Sequence, residues 1–395
     1  MSAGRVVIAG GGLAGMRTAE TLRTKGFDGD VVIVSQEELP AYNRPPLSKS
    51  ALHRDITAAD VGLRMRKGVE FEWRLGTSVV EADLAAARVR LSDDTTVEYD
   101  HLVAATGVRP RRLDLPGPDL SGPTGGRHVL RTVADAQALA RTLDGPRVVA
   151  ILGAGFLGTE LAWTLAGQGH TVTVVAPEAE PLVGALGAAA ATSLRRRSEA
   201  AGVTFRTGRT ASHLLGDNAL RSVVLDDGSE VVASIVIEAV GSVPNVEWLA
   251  TTPLDVNFGV PVDDTLRVVD ALNVWAVGDV AWAPQSLLGG LRRRLEHWTH
   301  AGESARHVAS SIIGTSSTFG SVPGFWTEQG GIRLDGYGFP GAADDHILTA
   351  GDWDGQFLAR CEKDGELVGV LSVGFVKESA PLVRELTEQV AAAPA

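Results

Sequence analysis

Apolar and polar residues follow one pattern twice along this chain. Residues 5–34 contain the apolar strand VVIA, a glycine-rich turn, an amphipathic stretch from Leu13 to Lys25 and the strand VVIV. Residues 147–175 repeat this order with VVAIL, a glycine turn, a helical stretch to Gly169 and the strand TVTVV. This is the only internal repeat in the sequence. It predicts two βαβ units of one kind, each within its own parallel sheet.

Shorter strands are predicted after each unit. Residues 89–107 and 223–241 each contain a strand, a turn at an Asp-Asp pair and a second apolar strand that ends at glycine. The segment VWAVGDVA at 274–281 is a further apolar strand that ends in Gly-Asp. Beyond Pro323 short strands alternate, and one closing helix is predicted at about 379–392. The last part of the chain is therefore predicted to form a smaller α+β unit.

The composition is that of a soluble protein with more than one domain. A length of 395 residues predicts two or three domains. No segment has the roughly 18 consecutive apolar residues that a membrane helix needs. The absence of an apolar leader before the first strand predicts a cytoplasmic location. The net charge of -12 argues against general binding to nucleic acids or anionic membranes.

Cysteine and histidine usage excludes several kinds of site. Cys361 is the only cysteine, so internal disulfides, thiolate zinc sites and an iron-sulfur cluster within the chain are excluded. It lies in the strand-like segment LARCEK, where a packed, unreactive thiol is expected. His297, His300 and His307 lie along one predicted helix without the carboxylates of a metal site, and no metal is predicted.

The first glycine turn has the form Gly10-x-Gly12-x-x-Gly15. Glycines at these positions allow a tight turn, close approach of a pyrophosphate and close packing of the helix, whose N-terminus favours phosphate charge. Such a turn can also be purely architectural. The acidic residue expected after the second strand is present as Glu37, where it can accept hydrogen bonds from ribose hydroxyls. Turn and carboxylate together predict a dinucleotide site.

The second turn, Gly153-x-Gly155-x-x-Gly158, has the same setting and is followed by Glu160. Two complete motifs imply two dinucleotides. The acidic position after the second strand of this unit, however, holds Ala176.

The identity of the second dinucleotide follows from the residues after that strand. Glu178 follows Ala176 by two positions, and neither Arg nor Lys occurs in residues 174–194. A 2'-phosphate therefore has no local cationic partner, and NADH is predicted in preference to NADPH.

Further motifs carry a resemblance to a known family. They are YNRPPLSK at 42–49, AATGVRP at 104–110, GSVPN at 241–245, AVGDVA at 276–281, LEHW at 295–298 and FWTEQ at 325–329. With the two glycine turns, they make the chain resemble, along almost its whole length, the oxygenase-coupled NADH-dependent ferredoxin reductases such as putidaredoxin and rubredoxin reductases. This resemblance implies the glutathione-reductase-like fold. The expected fold class is α/β, with two Rossmann-type dinucleotide-binding domains and a small C-terminal α+β domain.

The resemblance also implies a division of the chain. Residues 1–112 and 242–320 are expected to form a discontinuous FAD-binding domain. Residues 113–241 are expected to form the NAD-binding domain, and residues 321–395 a domain that covers the flavin. The Pro- and Gly-rich run at 110–126 is predicted to link the two larger units.

Site residues carry over from the resemblance position by position. The implied FAD contacts are Gly10, Gly12, Ala14 and Gly15 at the pyrophosphate, Glu37 at the ribose, Val79 at the adenine, Lys49 and Arg131 at the flavin, Thr106 and Gly107 where the chain crosses between domains, Gly241 and Gly278 as cofactor-binding glycines, Asp279 at the ribityl chain, and Trp298 and Trp326 over the isoalloxazine. The implied NADH contacts are Gly153, Gly155, Gly158 and Glu160.

Several of these residues also have a physical interpretation. Only five of the basic residues are lysines, and Lys49 is one of them. Its ammonium group beside the flavin would favour the reduced, more negative form of the flavin. The resemblance places Glu160 near the nicotinamide. Lys49 and Glu160 are the predicted catalytic residues. Each has an alternative. Lys49 can be a surface lysine after a turn, and Asp279 can cap the helix that follows it. Trp298 and Trp326 can be ordinary core residues.

The missing cysteines point to the route by which electrons leave. Disulfide reductases of this fold relay electrons through a cysteine pair. Related NADH oxidases and coenzyme A disulfide reductases use one cysteine in the region that reads Pro40 to Lys49 here, and this region has none. Electrons are therefore expected to leave the flavin directly. The resemblance implies that their acceptor is an iron-sulfur ferredoxin that serves a cytochrome P450 or a Rieske oxygenase. The basic cluster of Arg292, Arg293 and Arg294 is hypothesised to steer that acidic partner, with a solvated loop as the alternative.

Two other functions are compatible with the same motifs. One is the reduction of a small acceptor such as a quinone or monodehydroascorbate, and the other is redox sensing with slow turnover. The chain also departs from the family pattern at Ala176, at Gln36 before Glu37, and at Glu328, where the family usually has aspartate.

Overall fold

A computed structural model describes residues 4–53, 56–118, 120, 125–315, 317–329 and 331–392 of the chain. Part of the predicted linker at 110–126, and the outermost ends of the first and last predicted domains, lie outside the described residues.

The helices and strands of the described residues are numbered in chain order. The strands are β1 Arg5–Ala9, β2 Asp30–Val34, β3 Glu72–Arg74, β4 Val79–Asp83, β5 Arg88–Leu91, β6 Thr96–Glu98, β7 His101–Ala104, β8 Val108–Pro110, β9 Arg127–His128, β10 Val148–Leu152, β11 Thr171–Ala176, β12 Val203–Thr207, β13 Ala211–Gly216, β14 Leu220–Leu225, β15 Glu230–Val232, β16 Ile235–Glu238, β17 Ser242–Pro244, β18 Val260–Pro261, β19 Val274–Ala276, β20 Ala281–Gln285, β21 Leu291–Arg293, β22 Gly324–Gln329, β23 Ile332–Gly338, β24 Asp345–Gly351, β25 Phe357–Lys363 and β26 Glu366–Val373. The α-helices are α1 Leu13–Thr24, α2 Ala58–Val61, α3 Val133–Thr142, α4 Phe156–Gly167, α5 Val183–Leu186, α6 Ala188–Ala200, α7 Trp298–Ile312 and α8 Ala380–Ala392. Short 3-10 helices cover Pro45–Ser48, Ser50–His53, Glu247–Leu249, Gly278–Val280, Ser286–Leu288 and Pro340–Ala342.

The first βαβ unit forms the centre of a parallel sheet with the order β19-β7-β1-β2-β3. Val6, Val7, Ile8 and Ala9 of β1 are all fully buried, as expected for a central strand covered on both faces. Helix α1 packs against α7 on one side of this sheet. Because β19 comes from residues far beyond the second βαβ unit, this sheet is built from two separate parts of the chain.

The second unit repeats this architecture in the parallel order β12-β11-β10-β16-β9. Its strands β10 and β11 pair in register from Val148 with Thr171 to Leu152 with Val175. The predicted repeat of strand, turn, helix and strand is confirmed in both units, with the helix ends within two residues of the prediction.

Two small antiparallel sheets follow the βαβ units, in the orders β4-β5-β6 and β13-β14-β15. In the first, the predicted turn at Asp93 and Asp94 is present, and Asp94 has a positive φ of 64°. The crossing between the two large units is made by β8 and β17, which pair antiparallel.

The last part of the chain forms a five-stranded antiparallel sheet in the order β22-β23-β26-β25-β24. Helix α8 packs on β26 and buries Leu386. The α/β fold class with a C-terminal α+β unit is therefore confirmed. Among the described residues, no helix combines the length and hydrophobicity that crossing a membrane requires.

Candidate functional site

One large cavity of about 1900 Å³ opens at the carboxyl ends of the two parallel sheets. This is the edge at which open α/β sheets bind their ligands. The predicted site residues that line it are Gly10, Gly12, Ala14, Glu37, Lys49, Val79, Thr106, Gly107, Arg131, Gly155, Glu160, Gly241, Gly278, Asp279, Trp298 and Trp326. The other three do not line it: Gly153 lies in the second glycine turn, and Gly15 and Gly158 lie in the first turns of α1 and α4. The fold thus brings the predicted set together, while the role of each residue remains a prediction.

The first glycine turn leaves no room for side chains except where a ligand can approach. Gly10 has a φ of 120°, and a Cβ atom there would lie 2.1 Å from the carbonyl oxygen of Ala105. A Cβ at Gly15 would lie 2.0 Å from the carbonyl oxygen of Gly10. At Gly12, by contrast, nothing lies within 4 Å, and no side chain caps the N-terminus of α1. Uncapped N–H groups facing open space fit a bound pyrophosphate.

The second turn has the same geometry. Gly153 has a φ of 107°, and its Cβ would lie 2.3 Å from the carbonyl oxygen of Ala239. A Cβ at Gly158 would lie 2.0 Å from the carbonyl oxygen of Gly153, whereas the space at Gly155 is open. The N-terminus of α4 also lacks a side-chain cap. Both turns therefore fit a dinucleotide, and both face the same cavity.

Glu37 is held in place by two neighbours from the segment that follows it. Tyr42 donates its hydroxyl hydrogen to Oε2 at 2.5 Å, and Arg44 donates to Oε1 at 2.6 Å. Burial raises the pKa of Tyr42, so its hydroxyl stays protonated and able to donate. A carboxylate accepts more than one hydrogen bond per oxygen, so Glu37 retains the capacity to bind ribose hydroxyls.

The two predicted catalytic residues form an ion pair. Lys49 Nζ lies 2.8 Å from Glu160 Oε2, and Ser48 donates its hydroxyl hydrogen to the same oxygen at 2.8 Å. Thr327 donates to the other oxygen, Oε1, at 2.9 Å. The carboxylate of Glu160 is nearly buried, which strengthens each of these charge-assisted bonds.

A second ion pair joins Arg131 to Asp279. Arg131 Nη2 lies 2.7 Å from Asp279 Oδ2, and both side chains are partly buried beside the cavity. Asp279 follows Gly278, whose φ of 68° turns the chain at the end of β19. A Cβ at Gly278 would lie 3.0 Å from the Cβ of Ala14, so this turn packs directly against the start of α1.

The crossing between the two large units is held by reciprocal hydrogen bonds. Thr106 Oγ1 donates to the carbonyl oxygen of Asn245 at 2.6 Å, and Asn245 Nδ2 donates to the carbonyl oxygen of Thr106 at 2.9 Å. Gly107 and Gly241 have φ values of 61° and 94°, which favour glycine where each strand enters the crossing.

Two tryptophans form part of the cavity wall. Trp298 is the first residue of α7, and Trp326 lies in β22. The guanidinium of Arg333 lies 5.2 Å from the centre of the Trp326 ring, in the range of a cation–π contact. Neither tryptophan belongs to the fully buried core, which agrees with a ligand-facing position better than with the core alternative.

The structure does not support the predicted cluster of three arginines. Arg292 and Arg293 are consecutive in β21, so their side chains point to opposite faces, and Arg294 lies just beyond the end of the strand. Arg292 donates to the carbonyl oxygens of Val262 and Trp282. Arg294 binds Glu296 at 3.0 Å and lines the cavity. Only Arg293 is exposed, so the three do not form one basic surface.

Cys361 and His300 are buried inside the protein, whereas His297 and His307 are half-buried and His297 lines the cavity. Cys361 in β25 is fully buried, and burial raises its pKa to about 12. His300 and His307 both contact the ring of Phe319, and burial lowers the pKa of His300 to about 4. The described residues contain no group of three potential metal ligands.

Some residues of the site were not predicted from the sequence. They are Tyr42, Arg44, Ser48, Asn245, Thr327 and Gln329. All of them lie within the motifs quoted above, but the roles of these polar residues depend on partners that are remote in sequence.

Comparisons with known proteins agree with this geometry. A family profile described as pyridine nucleotide-disulphide oxidoreductase matches residues 4–305. Rhodocoxin reductase of Rhodococcus erythropolis is 36% identical over 372 residues, which cover 93% of this chain and 86% of that protein. The ferredoxin–NAD(+) reductase component of the anthranilate 1,2-dioxygenase system of Burkholderia cepacia is 33% identical over 382 residues, with 96% and 93% covered.

A solved structure shows the same arrangement over nearly the whole chain. The crystal structure of the covalent putidaredoxin reductase–putidaredoxin complex matches with a TM-score of 0.91 and 28% identity. The match covers 98% of this chain and 94% of that chain.

Proposed function

The chain belongs to the pyridine nucleotide-disulphide oxidoreductase family, and we propose that it is an FAD-dependent NADH:ferredoxin oxidoreductase. In this proposal it takes a hydride from NADH and passes electrons singly to an iron-sulfur ferredoxin. That ferredoxin serves a cytochrome P450 or a Rieske oxygenase. Relatives named as reductases of a dioxygenase system, and a neighbour solved in complex with putidaredoxin, support this assignment.

The observation that carries the proposal is the shared cavity. Gly12 and Gly155, the open positions of the two glycine turns, line the same space. The Lys49–Glu160 ion pair lines it as well, and it joins the segment after β2 to helix α4. Two dinucleotides that enter from opposite sheets would therefore meet next to this pair, as direct transfer between them requires.

The residues of this chain would bind and orient the two cofactors. FAD, when bound, accepts a hydride from NADH and releases its two electrons one at a time. Glu37 would hold the ribose of FAD and Asp279 its ribityl chain. Lys49 would place a positive charge beside the flavin, where it favours the reduced state. Glu160 would orient the nicotinamide, since its carboxylate is already fixed by its neighbours.

Electrons are proposed to leave without a thiol relay. The sole cysteine, Cys361, does not line the cavity, and the segment 40–49 contains none. Trp298 and Trp326 are proposed to cover the flavin on the side of α7 and the C-terminal sheet. Of the three arginines, Arg293 alone is exposed and can attract an acidic partner by charge.

NADH is proposed as the preferred donor. The residue after the second strand of the NAD unit, Ala176, cannot bind a 2'-phosphate. The fold brings Arg209 next to Ala176, and the backbone N–H of Arg209 donates to the carbonyl oxygen of Ala176 at 3.1 Å. The guanidinium of Arg209 is paired with Asp227 at 2.7 Å, so this carboxylate would compete with a 2'-phosphate for it. We expect a higher kcat/KM for NADH than for NADPH. Asp227→Asn should reduce the ratio of kcat/KM for NADH to that for NADPH. Equal kcat/KM values for both donors in the unchanged protein would contradict the preference for NADH.

The domain division is proposed on the same grounds. Residues 1–112 and 242–320 contribute β1 and β19 to one parallel sheet, and residues 113–241 contain the other. Residues 321–395 contain the antiparallel sheet that supplies Trp326.

The experiment that tests this function measures both half-reactions. The FAD-loaded protein is reduced with NADH under anaerobic conditions and then mixed, in separate stopped-flow runs, with a ferredoxin from a P450 system and with a quinone. We expect rapid reoxidation by ferredoxin. Preferential oxidation by quinone would indicate a small-acceptor reductase instead, and slow oxidation by both would indicate a sensor.

A pair of variants links this result to the site. Lys49→Met should slow flavin reduction by NADH because it removes the charge beside the flavin and leaves Glu160 without its cation. Lys67→Met is the matched control, since Lys67 is exposed and does not line the cavity. Equal rates for both variants would contradict the role proposed for Lys49.

A further inference from the structure

Strand β22 of the C-terminal sheet makes two buried polar contacts with helix α4 of the NAD unit. Thr327 Oγ1 donates to Glu160 Oε1 at 2.9 Å. Gln329 Nε2 donates to Thr159 Oγ1 at 2.9 Å and to Thr327 Oγ1 at 3.1 Å. All four residues are less than 9% exposed. They therefore form one connected, nearly dry network between two units of the protein.

The positions of these residues in β22 and α4 explain how the two elements make this contact. Thr327 and Gln329 are two positions apart in a strand, so their side chains share one face of the sheet. That face meets Thr159 and Glu160, which are consecutive in α4. Trp326, between Phe325 and Thr327, points to the other side and lines the cavity.

The network provides the hydrogen bond to the second carboxylate oxygen of Glu160. Ser48 and Lys49 bind Oε2 from the segment after β2, and Thr327 is the described side chain that binds Oε1. The carboxylate therefore has one oxygen held by the FAD unit and the other by the C-terminal sheet. Loss of the second contact would leave a buried carboxylate oxygen without a partner, and the side chain would rotate or admit water to satisfy it.

We infer that Thr327 is a positioning residue for the hydride-transfer step, and that the C-terminal sheet thereby sets the rate of flavin reduction by NADH. This inference rests on the proposed function. Thr327 does not line the cavity and acts through Glu160, whose carboxylate orients the nicotinamide. The C-terminal sheet thus contributes to the entry of electrons as well as to the surface near the tryptophans.

Three variants of the FAD-loaded protein test the inference. Thr327→Val removes the hydroxyl and keeps the shape, and Thr327→Ser restores a hydroxyl. Thr349→Val is the matched control, because Thr349 lies in β24 of the same sheet and donates to the carbonyl oxygen of Leu358 at 3.0 Å, away from the cavity. For each variant, stopped-flow mixing with increasing NADH yields the limiting rate of flavin reduction and the dissociation constant of NADH. FAD content and Tm are measured on the same samples.

We expect Thr327→Val to lower the limiting rate by about tenfold or more, because small misplacements of a bound substrate have effects of this size. The dissociation constant of NADH should change much less. Thr327→Ser should recover most of the rate, and Thr349→Val should behave like the unchanged protein. A purely structural role would instead lower FAD content or Tm without this split between rate and affinity.

Two results overturn the inference, and they are distinguishable from failure of the proposed function. Equal limiting rates for Thr327→Val and the unchanged protein would remove the role of Thr327 while NADH still reduces the flavin. A loss of rate that Thr327→Ser does not recover would also reject it, since the hydroxyl would then be irrelevant. If NADH does not reduce the unchanged protein, both the proposed function and this inference fail.

Discussion

Replacing Gly158 with alanine should separate the two dinucleotide sites. The Cβ of such an alanine would lie 2.0 Å from the carbonyl oxygen of Gly153 and 3.1 Å from its carbonyl carbon. Both obstructing atoms belong to the backbone of the turn, which cannot move aside as a flexible side chain could. Gly158 has no positive φ, so the obstacle is steric contact and not backbone strain. Helix α4 must therefore move away from the turn.

The size of the movement can be estimated from the same distances. Ordinary contact with a Cβ begins at 3.4 Å, so the start of α4 must shift by about 1.4 Å. Overpacking of this kind costs about 1–3 kcal/mol. If most of this cost is relieved when the phosphate-binding turn opens, affinity for NADH should fall by roughly 5- to 150-fold. FAD binding should be retained, because the turn from Gly10 to Gly15 is unchanged.

Two further alanine variants make the test specific. Gly15→Ala places a Cβ 2.0 Å from the carbonyl oxygen of Gly10, so it imposes the same steric conflict on the FAD turn. It should lower FAD content while NADH analogues still bind the apoprotein. Gly167→Ala, at the end of the same helix as Gly158, has nothing within 4 Å and should be neutral or slightly stabilising.

The assays are the FAD content of the purified protein and the dissociation constant of an NADH analogue, which is measured by titration and does not require bound FAD. The reasoning is refuted if Gly158→Ala loses FAD and keeps its affinity for NADH, because the second turn would then bind the wrong cofactor. Unchanged affinity for both cofactors would refute the steric estimate itself.

Three other predictions follow from the ion pairs and the buried groups. Asp279→Asn removes the charge that pairs with Arg131 at 2.7 Å, so the purified protein should contain less FAD; full retention would contradict this role. Because burial raises the pKa of Cys361 to about 12, the native thiol should react with alkylating reagents far more slowly than in denaturant. Burial lowers the pKa of His128 and His300 from 6.5 to about 4. Between these two pH values each imidazole is neutral in the folded protein, whereas the unfolded chain binds a proton at each. Stability in urea should therefore be fully present above pH 6.5 and fall as the pH decreases toward about 4, by ~1.4 kcal/mol per pH unit for each imidazole, and a flat profile would contradict this.

The glycine turns could be predicted because their constraint is local. A positive φ at Gly10, and a carbonyl oxygen 2.0 Å from a Cβ at Gly15, each exclude other residue types within one short segment. The constraint is therefore visible in the sequence as a fixed spacing of glycines. The apolar strand before the turn and the amphipathic stretch after it predict β1 and α1, and the turn must lie between them.

The pairing of charged residues could not be predicted in the same way. Lys49 and Glu160 are 111 positions apart, and Arg131 and Asp279 are 148 apart. Each was predicted as a site residue, from its motif or, for Arg131, from the family resemblance alone. Only the folded chain shows that they form two ion pairs. Such contacts depend on how whole sheets meet, and no local pattern encodes that.

The arginine cluster at 292–294 shows the opposite failure, in which sequence proximity was misleading. Consecutive residues of a strand point to opposite faces, so Arg292 and Arg293 cannot share one surface once β21 forms. Arg292 and Arg294 instead bind backbone carbonyls and a carboxylate. The same alternation was available from the sequence, but the segment was interpreted as a charged cluster rather than as a strand.

Strand alternation also explains how one short segment can serve two steps of the proposed reaction. In β22, Trp326 lines the cavity where electrons are proposed to leave, and Thr327 faces the carboxylate that orients the donor. A shift of this strand along its own axis would displace both side chains together. A partner protein that docks against the C-terminal sheet could therefore alter the rate of hydride transfer without contacting NADH. Flavin reduction measured with and without a saturating, redox-inactive ferredoxin would reveal this coupling, and its dependence on the Thr327 hydroxyl would locate it.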